Sequence, residues 1–199
     1  MASKGHPNAG SSSGSGWLLA GYVGAGGFFV QELFLRRPGA ASSLTASHED
    51  EGTTRMLLAS SGLAYGLPLA LRRLPLPKMP PATAATGLIM QACGLALRVW
   101  SMRTLGSFYT RTLRTTQDQH VVDSGPYRMI RHPGYTGALL VWTGLALASR
   151  SALATVLVAG LMGRAYRRRI TAEENLLQRA LPQYGDYSRR TKKLIPLIW

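Results

Sequence analysis

Acidic residues are scarce in this chain of 199: nine Asp and Glu stand against 23 Lys and Arg, a formal net charge of +14. Charge of either sign makes up only 16% of the sequence, below the roughly 25% of soluble domains. The basicity is therefore not that of a heavily charged nucleic-acid binder, and no nucleic-acid partner is expected. Cysteine is nearly absent. The single Cys93 lies in an apolar run, which excludes an internal disulfide framework and a cysteine-rich metal site, and no metal is expected. Aromatics are also few, at 8%, yet hydrophobic residues reach 46%.

Those hydrophobic residues are collected into blocks: Trp17–Leu35, Met56–Leu71, Ala82–Leu97, and 135–163 broken only by Ser149-Arg150-Ser151. A membrane span needs about 20 mainly apolar residues. The last block is too long for one span and breaks at a polar arginine, so it predicts two short helices in a hairpin. The fold class expected is an all-α integral membrane protein with about five transmembrane helices. Glu32 inside the first block argues against a cleaved signal peptide. With N-out, C-in topology, 18 Lys and Arg fall on the cytoplasmic side and 5 outside, as the positive-inside rule requires. Arg72 and Arg73 run against that rule.

Residues 1–16 are rich in Gly and Ser and are expected to be disordered, leaving 17–199 as one membrane domain. Pro75, Pro77, Pro80 and Pro81 predict a stiff, non-helical outer connection. Residues 98–134 form a long cytoplasmic loop and 164–199 an amphipathic tail. In the loop, Gly125-Pro126 and Pro133-Gly134 are turn signals that reverse the chain twice and expose backbone N–H groups. In the tail, Arg169 and Glu173 stand four residues apart on one helix face.

Ser124-Gly-Pro-Tyr127, then Arg131-His-Pro-x-Tyr135, an apolar hairpin, Arg169-x-x-x-Glu173-Glu174-x-x-Leu177 and Tyr184-Gly-Asp-Tyr187 follow one another in order. This set, over about residues 105–199, resembles the isoprenylcysteine carboxyl methyltransferase family and its bacterial and phospholipid methyltransferase relatives. The resemblance implies a membrane methyltransferase that binds S-adenosylmethionine between a cytoplasmic loop and the C-terminal helix. The positions matching the cofactor motif are Gln119, His120, Val121, Val122, Tyr127, His132, Pro133, Gly134, Tyr135 and Glu173. Arg169 matches the catalytic arginine beside the methyl acceptor. Many relatives carry His where Gln119 stands.

Physical chemistry agrees with that assignment. Tyr127 and Tyr135 supply aromatic faces, Glu173 an anion for the cofactor's ammonium, and His132 with free N–H groups donors for its carboxylate. A carboxylate acceptor, with a reference pKa of roughly 4, needs no general base, and the Arg169 guanidinium orients it. The acceptor implied is a prenylcysteine carboxylate on a lipidated substrate. A phospholipid or small-thiol acceptor stays open, and the small residues Gly62, Gly66, Gly87 and Gly94 are expected to leave room for a lipid groove between spans. The localisation implied is multi-pass, with the C-terminus cytoplasmic, in the endoplasmic reticulum of a eukaryote or the inner membrane of a bacterium. Two other classes compete. An NADPH-dependent sterol-type reductase shares the His-Pro-x-Tyr turn, and a lipid-binding adaptor explains the basic tail but not the paired turns or paired glutamates.

Overall fold

The structure is a computed structural model that describes residues 10–34, 52–108 and 120–195. Six α-helices and no named strand are found among them: α1 Gly10–Phe34, α2 Thr53–Leu71, α3 Pro81–Leu105, α4 Pro133–Ala148, α5 Ala152–Ala180 and α6 Tyr184–Arg190. Short 3-10 turns cover Gly106–Phe108 and Gly125–Arg128. Proline sets two of the helix starts. Pro81 and Pro133 each occupy the first helical position, where the missing N–H costs nothing and φ is already helical.

The centre of the bundle is the α3–α4 contact, and glycine makes it possible. A Cβ on Gly87 would lie 2.5 Å from the Gly144 carbonyl oxygen, and one on Gly94 would lie 2.5 Å from that of Gly137. The two pairs run in opposite sense, so the helices are antiparallel with backbones touching. Between them Gln91, buried, donates from Nε2 to the carbonyls of Gly21 (2.9 Å) and Val141 (3.3 Å), tying α1 and α4 to α3. Gly87 and Gly94 are thus filled by α4 and leave no room for a lipid, contrary to expectation. Gly62 and Gly66 do face open space.

At one end of the bundle the α4–α5 turn meets the proline-rich connection. Arg150 takes a left-handed conformation, φ 58°, its Nε donates to the Met79 carbonyl at 2.6 Å and its own carbonyl accepts from the Met79 N–H at 2.9 Å. Ser151 then caps α5, accepting from the Ala154 N–H. The hairpin is as the sequence predicts, but α5 is not short, at 29 residues, and of the prolines expected in the non-helical connection Pro81 already opens α3.

Two boundaries differ. α1 begins at Gly10, inside the segment expected to be disordered, although glycine and serine are poor helix formers. α3 continues to Leu105 where the apolar block ends at Leu97, so Arg98 is helical and not in the loop. Glu32 neutralises it. Among the described residues, α3 alone is long and apolar enough by itself to cross a bilayer. α4 has 16 residues, and the far half of α5 is charged.

The outer faces are apolar. α1 turns Leu19, Val23 and Leu33 outward, α2 Leu58 and Leu63, α3 Ile89 and α5 Val156, while α4 is mostly buried. Apolar side chains therefore lie both inside the bundle and around it, an arrangement water does not favour.

Candidate active site

At the end of the bundle opposite the Met79–Arg150 clasp, a cavity of about 490 Å³ opens among α1, α2, α3, α5, α6 and the loop before α4. His120, Val121, Val122, Tyr127, His132, Gly134, Tyr135, Arg169 and Glu173 all line it. Residues 120–135 and the middle of α5 thus converge on one space, as the motif order implied. Pro133 is fully buried behind the wall and serves to start α4. Gln119 lies outside the described residues.

The polar centre is a connected set of hydrogen bonds. Tyr135 donates its hydroxyl to Glu173 Oε2 at 2.6 Å and accepts from Arg169 Nε at 3.3 Å, so the phenol stands between the two α5 side chains. Arg169 is buried and also donates from a terminal nitrogen to the hydroxyls of Thr53 (2.8 Å) and Thr54 (3.1 Å) on the first turn of α2. The carboxylate of Glu173 keeps 28% of its side chain exposed, into the cavity. The ring of His132 stacks on that of Tyr135, with centroids 5.5 Å apart. Its Nε2 lies 3.2 Å from Glu174 Oε1 and its Nδ1 3.9 Å from Glu173 Oε2. Both ring nitrogens thus face glutamates, Glu173 on the cavity side and Glu174 behind it.

Glu174 points the other way, into protein. Arg131 Nε and Lys193 Nζ contact it at 2.8 and 2.9 Å. Burial pushes its carboxyl up, but the hydrogen bonds from His132, Lys193 and Arg131 outweigh that and hold it at about 2. The tail is held there by backbone as well. Arg131 and His132 donate their N–H groups to the carbonyls of Lys192 (2.7 Å) and Lys193 (3.1 Å), and Lys192 donates back to Met129. A terminal nitrogen of Arg131 also donates to the Thr191 carbonyl. The chain after α6 is therefore a strap that fixes the Arg-His-Pro turn.

Two further charges reach the cavity. Arg98 of α3 and Glu32 of α1 form a buried ion pair on its wall, with Arg98 also donating to the Gly134 carbonyl at 3.1 Å and lying 4.2 Å from the centre of the Phe28 ring. Glu32 inside its apolar block is the one local signal of a buried partner, but Arg98 stands just past the end of its own block and only the fold brings the two together. Tyr184 and Tyr187 stand outside the set of site residues expected from the sequence. Both do pack, with Leu181 and Val121, and both line the cavity as well. Tyr187 donates to the Tyr127 carbonyl at 2.8 Å, and burial raises both phenols well above their ordinary value.

The cavity has two kinds of wall. Val121, Tyr127, Leu177, Leu181, Tyr184 and Tyr187 form an aromatic and aliphatic slot on the loop side, with Glu173 near it. Phe28, Phe29, Leu33, Leu57 and Leu58 form an apolar wall between α1 and α2. Arg98 and Arg169 belong to the same cavity. Among the described residues there is no group of three His, Cys, Asp or Glu that could hold a metal ion.

Residues 87–179 match the isoprenylcysteine carboxyl methyltransferase family. The chain is 31% identical over 115 residues to a probable protein-S-isoprenylcysteine O-methyltransferase of Oryza sativa subsp. indica, covering 56% of this chain and 60% of that protein. It is 32% identical over 118 residues to the protein-S-isoprenylcysteine O-methyltransferase of Mus musculus, covering 58% of this chain and 42% of the mouse protein. A cobalt-zinc-cadmium resistance protein of Cupriavidus metallidurans is 31% identical over 99 residues, 49% of this chain and 46% of that one. The chain thus spans less than two thirds of the length of each.

Proposed function

We propose that the protein is a member of the isoprenylcysteine carboxyl methyltransferase family, which residues 87–179 match, and a multi-pass membrane methyltransferase that uses S-adenosylmethionine to esterify the carboxylate of a prenylated cysteine. The observation that carries this is the single cavity joining an aromatic slot with a carboxylate, two buried guanidiniums and an apolar wall. Its donor set fits the cofactor: Glu173 for the ammonium, and Tyr127, Leu177, Leu181, Tyr184 and Tyr187 for the adenine. When bound, the cofactor supplies an electrophilic methyl on a sulfonium. The chain's own residues supply position. Arg169, held by Thr53, Thr54 and Tyr135, is the cation available to align an acceptor carboxylate, whereas Arg98 is already neutralised by Glu32. That carboxylate is ionised at neutral pH, so no side chain has to remove a proton. Burial excludes water from the nucleophile.

The membrane assignment rests on the outward apolar faces and the distribution of Lys and Arg. Five helices that gather the cavity at one end and the Met79–Arg150 clasp at the other suit five spans, with the C-terminus and the cavity on the cytoplasmic side. The membrane is the endoplasmic reticulum if the source is eukaryotic and the inner membrane if it is bacterial.

The protein in detergent binds S-adenosylmethionine or its demethylated product in the micromolar range, about −8 kcal/mol, and calorimetry measures it. Radiolabelled methyl transfer to N-acetyl-farnesylcysteine yields a base-labile ester, while phosphatidylethanolamine vesicles remain unlabelled. The rate is nearly flat from about pH 6 to 8, since a carboxylate of pKa roughly 4 is ionised throughout, whereas an amine acceptor speeds up about tenfold per pH unit. Base-stable N-methyl lipid in place of the ester refutes the acceptor and leaves the methyltransferase standing. Absence of cofactor binding refutes both.

A further inference from the structure

On the outer side of α5, away from the cavity, a second hollow is lined by Arg164, Arg167 and Arg168, by Gly160 and Gly163, and by Thr53 of α2. The three arginines are exposed, and at spacings of three and four residues they share a helix face. None of them has a carboxylate partner among the described residues. The two glycines have open space where a Cβ would stand, so the helix carries a trough one turn below the cations. Below it the exposed face of α5 is apolar, with Val156 and Leu157. A cationic rim over a smooth trough that leads into an apolar face has the profile of a phospholipid seen from the side. The phosphate would lie at the arginines and the acyl chain along Gly163 and Gly160.

We propose that this groove is a binding site for an anionic phospholipid of the cytoplasmic leaflet, distinct from the acceptor. Guanidiniums hold phosphate through paired N–H donors, and basic side chains at the membrane surface attract anionic lipid additively. A free phosphate uses the arginines alone, and only a lipid uses the glycine trough below them. The site also touches the candidate chemistry at one point. Thr53 lines the groove, and its hydroxyl accepts the 2.8 Å hydrogen bond from Arg169. This site requires a membrane-embedded chain but no particular methyl acceptor.

The test is native mass spectrometry of the full chain released from micelles containing equal phosphatidylglycerol and phosphatidylcholine. The wild type retains phosphatidylglycerol in preference to phosphatidylcholine by about tenfold or more. The variant R164Q/R167Q/R168Q loses that preference, while R189Q/R190Q, which removes two exposed cations of α6, keeps it. Excess inorganic phosphate does not displace the lipid. Calorimetric titration with S-adenosylmethionine, unchanged in the triple variant, shows that its loss of lipid is not misfolding. Equal loss in both variants would mean a diffuse field and no site, and displacement by phosphate would mean an anion site without a lipid. A wild type with no preference overturns the proposal.

Discussion

Tyr135 sits between an arginine and a glutamate that are four residues apart on one helix, and this splits their tasks. Its hydroxyl is spent on Glu173 and braced by Arg169, so the Glu173 carboxylate is held at a fixed angle with part of its surface open to the cavity. Under the proposed function, Glu173→Ala removes the charged partner of the cofactor's ammonium and weakens cofactor affinity by about 1.5–3 kcal/mol. Arg169→Ala leaves that affinity within a few fold and lowers kcat/KM for the acceptor instead. Calorimetry with S-adenosylmethionine and methyl-transfer kinetics measure the two; exchanged phenotypes would reverse the roles. Glu174, the next residue, faces away from the cavity because one step along a helix turns a side chain by about 100°.

At the scale of elements, the α3–α4 contact sets how closely everything else can pack. Gly94→Ala drives a methyl into the Gly137 carbonyl oxygen, 2.5 Å away, and backbone cannot retreat as a flexible side chain would. It lowers stability by about 1–3 kcal/mol. Gly62→Ala and Gly66→Ala, with open space at both positions, are neutral or stabilising by up to about 1 kcal/mol, since alanine is the better helix former. Thermal unfolding of the three variants in one detergent makes the comparison. A Gly94→Ala protein as stable as Gly62→Ala would mean that α3 and α4 do not touch through glycine.

Across the whole molecule, the strap after α6 joins the end of the chain to the start of α4 through Glu174, and this makes stability depend on pH. The Glu174 carboxyl titrates near 2 when folded against a reference of 4.5. A depressed carboxyl stabilises the fold fully above its unfolded pKa and loses that contribution as pH falls towards the folded value. The window therefore runs from about pH 4.5 down to 2, and the contribution lost is on the order of 3 kcal/mol. Glu174→Gln lacks it from the start. Melting temperatures of wild type and Glu174→Gln, followed by circular dichroism, lie apart at pH 6 and converge on acidification. Curves that stay parallel down to pH 3 would mean that Glu174 carries no such linkage.

Much of this was legible in residue order alone. Blocks of apolar residues marked the helices, since burial needs long uninterrupted stretches, and proline with glycine marked both the stiff connection and the turn before α4. The resemblance of the loop and helix motifs to a known family named nine of the residues that line the cavity, while turn chemistry and helix periodicity accounted only for the two chain reversals and the shared face of Arg169 and Glu173. What depended on distance through space could not be read that way. The pairing of Glu32 with Arg98 joins residues on different helices. The use of Gly87 and Gly94 for packing depends on which helix lies opposite, and the rotation of Glu174 into the strap depends on where residues 191–194 return. Sequence specifies the local period and the chemistry of each side chain, whereas the register between helices is a tertiary property, decided where backbones can approach and buried charges find partners.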